Sequence, residues 1–153
     1  VRLLLAHAAT DVNQARTDDG STPLCISCFE GQDGVAKLLL KRSDVDVNTA
    51  ATDDGTAPLY WACKHGLLEI VKLLLQKGAD WTVGMRDNGW SPLFVASWAG
   101  KAAVVAELLE RQAADPATAT TSEHLGIPAG STALSVAELQ GHGDVAAALR
   151  SAV

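Results

Sequence analysis

Asp53-Asp54-Gly55-Thr56-Ala57-Pro58-Leu59-Tyr60-Trp61-Ala62-Cys63-Lys64-His65-Gly66-Leu67-Leu68-Glu69-Ile70-Val71-Lys72-Leu73-Leu74-Leu75-Gln76-Lys77-Gly78-Ala79-Asp80 is the stretch whose reading decides the fold. Pro58 suits the first position of a helix, where a missing N–H costs nothing and φ is already set. Gly66 offers the left-handed conformation that ends a helix. The apolar run around Leu73-Leu74-Leu75 makes a second helix, and the segment from Asp80 onward a turn. The stretch therefore spells two short antiparallel helices. Neither is long enough to be stable alone in water, and each pair has an apolar face that only a neighbouring pair can cover.

Working outward, the same signals return. Gly20-Ser21-Thr22-Pro23-Leu24 precedes Gly55, and Gly89-Trp90-Ser91-Pro92-Leu93 and Gly130-Ser131-Thr132-Ala133-Leu134 follow it, with glycine spacings of 35, 34 and 41. A second glycine follows each first one: Gly31, Gly66, Gly100 and Gly141. Thr22, Ser91 and Thr132 can cap helix N-termini, because a hydroxyl there accepts an otherwise unpaired N–H. Leu38-Leu39-Leu40 and Val104-Val105 through Leu108-Leu109 supply the second helices, and Leu3-Leu4-Leu5 joins the same ladder. A fixed period over nearly the whole chain predicts an all-α solenoid of stacked helix-turn-helix units with hairpin-like tips.

The stretch from Asp53 to Asp80 resembles the ankyrin repeat, whose pattern runs roughly D-x-x-G-x-T-P-L-H-x-A-A-x-x-G-H-x-x-V-V-x-L-L-L-x-x-G-A-D-x-N. The resemblance divides the chain into a partial repeat over 1–16 (second helix and turn only), repeats over 17–51, 52–85 and 86–117, and an inserted loop plus C-terminal capping repeat over 118–153. The partial repeat marks a fragment of a longer array, cut in mid-repeat. Cys25, Tyr60, Phe94 and Ser135 replace the family's His. Ala57 replaces a capping hydroxyl, which is expected to weaken that helix start by about 1 kcal/mol. Glu107 stands where Leu38 and Leu73 stand in the other units. The longer spacing of 41 places seven extra residues between Pro116 and Gly130, rich in Thr, Ser, Ala, Pro and Gly, as an exposed loop.

Composition narrows the function. The 153 residues are 48% hydrophobic, 20% charged and only 5% aromatic, which fits a folded helical protein. A formal charge of −6 argues against nucleic acid as a partner. No apolar run approaches the ~20 residues that span a bilayer, so no membrane partner is expected. Three cysteines are too few for a disulfide framework and point to an intracellular (cytoplasmic or nuclear) setting.

Cys25-Ile26-Ser27-Cys28 offers a redox or metal pair, but zinc needs two further ligands. Cys63 aligns with Cys28 at a small buried position of the repeat, so core packing explains these thiols. His7, His65, His124 and His142 share no metal-ligand spacing. No nucleophile–base grouping or phosphate loop is present, so neither an enzyme nor a cofactor is expected.

What the resemblance implies is a recognition surface on a concave face of hairpin tips and first helices. Its tip positions are Asp18, Asp19 and Ser21; Asp53, Asp54 and Thr56; and Asp87, Asn88 and Trp90. The ends of the first helices add Phe29 and Glu30, Lys64 and His65, and Trp98. Five acids in successive tips predict a negative edge, and Lys37, Lys41, Arg42, Lys72 and Lys77 a more basic back. Trp90 and Trp98 are expected as exposed apolar anchors, and Trp61 as packing between units. The expected partner is a protein with a basic segment and an apolar anchor, bound by a monomer. A second reading makes the array the regulatory or substrate-recruiting arm of a larger, enzymatic polypeptide. Asn13 and Asn48 match a repeat-end Asn that oxygenases can hydroxylate in this family, but turn formation explains both residues adequately and is the preferred reading.

Overall fold

The hydroxyls of Thr22, Ser91 and Thr132 each accept the backbone N–H three residues on, at 3.2, 3.2 and 3.3 Å. These caps open α1 (Pro23–Phe29), α5 (Pro92–Trp98) and α7 (Ala133–Leu139), while α3 (Pro58–His65) starts at Ala57 with no side-chain cap. After each, a glycine with positive φ (Gly31, Gly66, Gly100, Gly141) reverses the chain. An antiparallel second helix follows: α2 (Asp33–Leu40), α4 (Leu68–Gln76), α6 (Ala102–Glu110) and α8 (Gly143–Ser151). The computed structural model describes residues 11–112 and 114–152, so Leu3-Leu4-Leu5, His7 and most of the expected partial repeat lie outside the described residues.

The helices form two layers. In one, α1 packs on α3, α3 on α5 and α5 on α7; in the other, α2 packs on α4, α4 on α6 and α6 on α8. Within each pair the helices also touch, so a single apolar core runs from Val12 to Leu149. The second helices bury the same face at each step: Leu39 and Leu40, then Ile70, Val71 and Leu74, then Val104, Val105 and Leu108, then Val145 and Leu149. Glu107 breaks the apolar ladder. Its carboxylate pairs with Arg111 in its own helix and reaches Lys72 of α4 at 4.0 Å.

The tips register the units. Each is closed by two backbone bonds: Arg16, Ala51 and Met85 donate N–H to Ser21, Thr56 and Trp90 and accept from Gly20, Gly55 and Gly89. Each tip then accepts one bond from the next, Thr52 N to Asp19 O (2.7 Å), Arg86 N to Asp54 O (2.8 Å) and Thr121 N to Asn88 O (2.9 Å). On the opposite side Asn13 ties Asp44 to Asp46, and Asn48 ties Gly78 to Asp80, through bonds of 2.7 to 3.1 Å. Both asparagine side chains are thus occupied as struts between turns.

Two expectations need correction. The insertion widens the fourth tip, closed by Gly130 N to Thr120 O, and is mostly exposed as expected but not throughout. Thr120 and Ile127 are buried, and His124 and Ile127 close a small turn with bonds of 3.1 and 2.9 Å. The basic back is partly neutralised, because Lys37 pairs with Asp33, Arg42 with Asp44 and Lys72 with Glu69.

Candidate recognition groove

Where the first two complete tips meet α1 and α3, the surface folds into a groove of about 200 Å³. Its floor is aromatic. Phe29, at the end of α1, is 48% exposed and stands edge-on to Trp61 of α3, with ring centroids 4.6 Å apart and planes at 89°. The register of the two units brings them together: α1 and α3 pack side by side and each presents one aromatic to the groove. Trp61 cannot rotate freely, because its Nε1–H donates to Thr56 Oγ1 at 2.9 Å, and Thr56 in turn donates to Asp54 Oδ1 at 2.7 Å. A carboxylate and an indole ring are therefore held in one fixed relationship.

The rim is acidic. Asp19, Glu30, Asp53 and Asp54 line it, opposed by Arg16. Arg16 is engaged with Asp18 and lies 3.8 Å from Asp19. That contact holds the exposed Asp18 carboxyl below the usual carboxylate range. Among the described residues Glu30, Asp53 and Asp54 form no ion pair. Lys64 places its Nζ 4.7 Å from the centroid of the Trp61 ring, so that ring is already a cation acceptor.

Of the residues expected at a recognition surface, Asp19, Ser21, Phe29, Glu30, Asp53, Asp54 and Thr56 are gathered at this groove. Asp18, His65 and Asp87 are exposed but do not line it. Thr56 and Asn88 are buried and hold their tips, Asn88 Oδ1 accepting from Trp90 N at 2.9 Å. Arg86 reaches back to the Thr52 and Asp53 carbonyls at 2.8 and 3.3 Å, which places a cation between the second and third acidic tips. The continuous negative edge is thereby divided.

Trp90 is the clearest correction. It is only 2% exposed and packs against Phe94, Trp98 and His124 at centroid distances of 5.0, 5.6 and 5.3 Å. His124 belongs to the insertion, which therefore helps to cover the indole. Its Nε1 is buried with no hydrogen-bond partner among the described residues. Trp98 is half-buried, and its carbonyl lies 3.1 Å from His142 Nε2. Trp90 is therefore not an exposed anchor, and the aromatic side chains that line the groove are Phe29 and Trp61. Trp61 was legible only as a packing residue, because periodicity places it between units without showing that a groove opens there.

The thiols are core residues. Cys25, Cys28 and Cys63 are free and buried, and burial pushes Cys25 and Cys28 up to about 12 and raises Cys63 further. No group of His, Cys, Asp and Glu among the described residues could hold a metal ion.

The architecture defines a class: a solenoid of stacked helix pairs whose tips and first helices present one acidic, aromatic groove. A family model described as ankyrin repeats, in 3 copies, matches residues 1–85 and again 45–120. The chain belongs to the ankyrin repeat family, whose members are in general protein–protein interaction modules and typically non-catalytic. No curated protein matches the chain. No helix among the described residues is long and apolar enough to cross a membrane.

Proposed function

We propose that the protein is an intracellular protein-recognition module that docks a basic segment of a partner protein in the groove between its first two complete tips, without catalysis of its own. One observation carries this reading: an aromatic pair, the exposed Phe29 and the part-buried Trp61, lies beside three carboxylates that have no ion-pair partner among the described residues. Exposed aromatics beside uncompensated charge are costly without a partner and are typical binding anchors. The acids set orientation and association rate, and the rings supply buried area. Backbone hydrogen bonds tie both tips into the helical layers, so docking as a monomer costs little ordering. Nucleic acid is disfavoured by the charge of −6.

The test is capture of partner proteins by the chain and by its Phe29→Ala, Glu30→Gln variant. Both side chains are exposed, so the fold is expected to survive. Specific partners retained by the parent and lost by the variant support the reading. Equal retention by both overturns it.

A further inference from the structure

The groove's chemistry narrows the partner further than a basic character. Three features coincide within it. The rings of Phe29 and Trp61 stand at right angles with centroids 4.6 Å apart; Trp61 is part-buried with Lys64 Nζ 4.7 Å from its centroid, and the 48% exposed Phe29 gives the more open ring surface for a planar group. Asp53 and Asp54 come from one tip and Glu30 from the end of the preceding unit's first helix, so the carboxylates approach from two sides. Asp54 uses Oδ1 for the Thr56 N–H and hydroxyl, and Asp53 uses Oδ1 for the Asp54 N–H. Each therefore keeps a second oxygen for a guest.

A lysine ammonium is a compact point charge that fits one carboxylate and gains little from a flat ring. A guanidinium is planar, stacks on aromatic faces and carries five donors in a fork suited to paired carboxylate oxygens. Methylated ammonium groups match the rings but forfeit the donors that the acids require. From this we infer that the groove selects an arginine of the partner segment, its guanidinium held by Glu30, Asp53 and Asp54 and its flat face against Phe29 or Trp61. This inference rests on the docking role proposed above for the same groove.

The experiment is a selection from a random 12-residue peptide library on the intact chain, with counter-selection on the Glu30→Gln, Asp53→Asn variant. Both substitutions lie at exposed positions and keep side-chain shape. The peptides that survive are then synthesised with each basic position changed in turn to Arg, Lys or trimethyl-lysine, and their affinities are measured at two salt concentrations. The expected result is one arginine common to the enriched peptides, with Arg→Lys weakening binding by about tenfold or more and with affinity falling as salt rises. Enriched peptides that bind the groove equally well through lysine or trimethyl-lysine would overturn arginine selection while leaving the docking role intact. Failure to enrich any peptide over the variant would overturn both.

Discussion

Phe29 and Trp61 meet edge to face at 4.6 Å, one ring from each of two successive helix pairs. The contact joins two levels of organisation. It is an inter-unit packing contact, because α1 and α3 lie side by side, and it is also surface, because Phe29 remains 48% exposed. Trp61 is fixed on its other side by the bond from its Nε1 to Thr56, a residue buried in the tip. The tip that carries Asp53 and Asp54 thus also orients the ring beneath them.

Trp90 acts in the core. Replacing it with Ala is expected to destabilise the chain by about 3–5 kcal/mol, the usual cost of emptying a large aromatic site. Ile127→Ala, which removes a buried side chain of the insertion, should cost about 2–5 kcal/mol. Urea unfolding followed by Trp fluorescence measures both. Insensitivity of stability to Ile127→Ala would mean that the insertion does not hold the fourth tip.

The uncapped start of α3 can be repaired. Ala57 has extended backbone with φ −100° and ψ 165°, close to that of Thr22 and Thr132, which do cap their helices. Ala57→Ser is expected to raise stability by about 1 kcal/mol, read as a higher midpoint in urea. An unchanged or lower midpoint would show that the buried site does not admit the hydroxyl.

Acid should loosen the turns between helix pairs. The Asp46 carboxylate accepts from the Asn48 N–H and the Thr49 hydroxyl, and Asp80 accepts from the hydroxyl and N–H of Thr82, and these bonds hold both groups below the usual carboxylate range. A depressed folded value adds stability above the unfolded value of about 3.9, and that stability is lost as pH falls through the folded value. Unfolding midpoints should therefore be flat from about pH 7 to 5 and fall below about pH 4. Asp46→Asn with Asp80→Asn should make that acid slope shallower. An unaltered slope would place the acid sensitivity elsewhere.

The three thiols should be silent in the folded chain. Burial disfavours their thiolates, pushing Cys25 and Cys28 to about 12, and the thiolate is the reactive form. A colorimetric thiol reagent at neutral pH should label them only when denaturant unfolds the protein. Fast labelling of Cys25 under native conditions would reopen a redox role for Cys25 and Cys28.

Much of this structure is written locally and could be read from the sequence. Thr22, Ser91 and Thr132 cap helices because a hydroxyl before Pro-Leu or Ala-Leu has a defined use, and Gly31, Gly66, Gly100 and Gly141 take the positive φ that their spacing suggests. The place of Phe29 and Glu30 at the end of α1 was legible through the resemblance to the repeat. Trp90 was not. Its tip position argues for exposure, and its burial is completed by His124, from an insertion that follows no period. The exposed groove floor was equally hidden, because Trp61 owes its orientation to a bond with Thr56 that no repeat pattern encodes. Non-periodic contacts are where the reading of a repeat fails.

The most direct measurement of the central claim is site-directed photo-crosslinking in lysate. A photoreactive side chain is placed at position 29, in the groove, and in a second sample at position 139, where Leu139 is 61% exposed on the last helix pair. Docking at the groove predicts a discrete crosslinked partner from position 29 that fades as salt rises, and none from position 139. The same crosslinked protein from position 139, with nothing from position 29, would contradict the account.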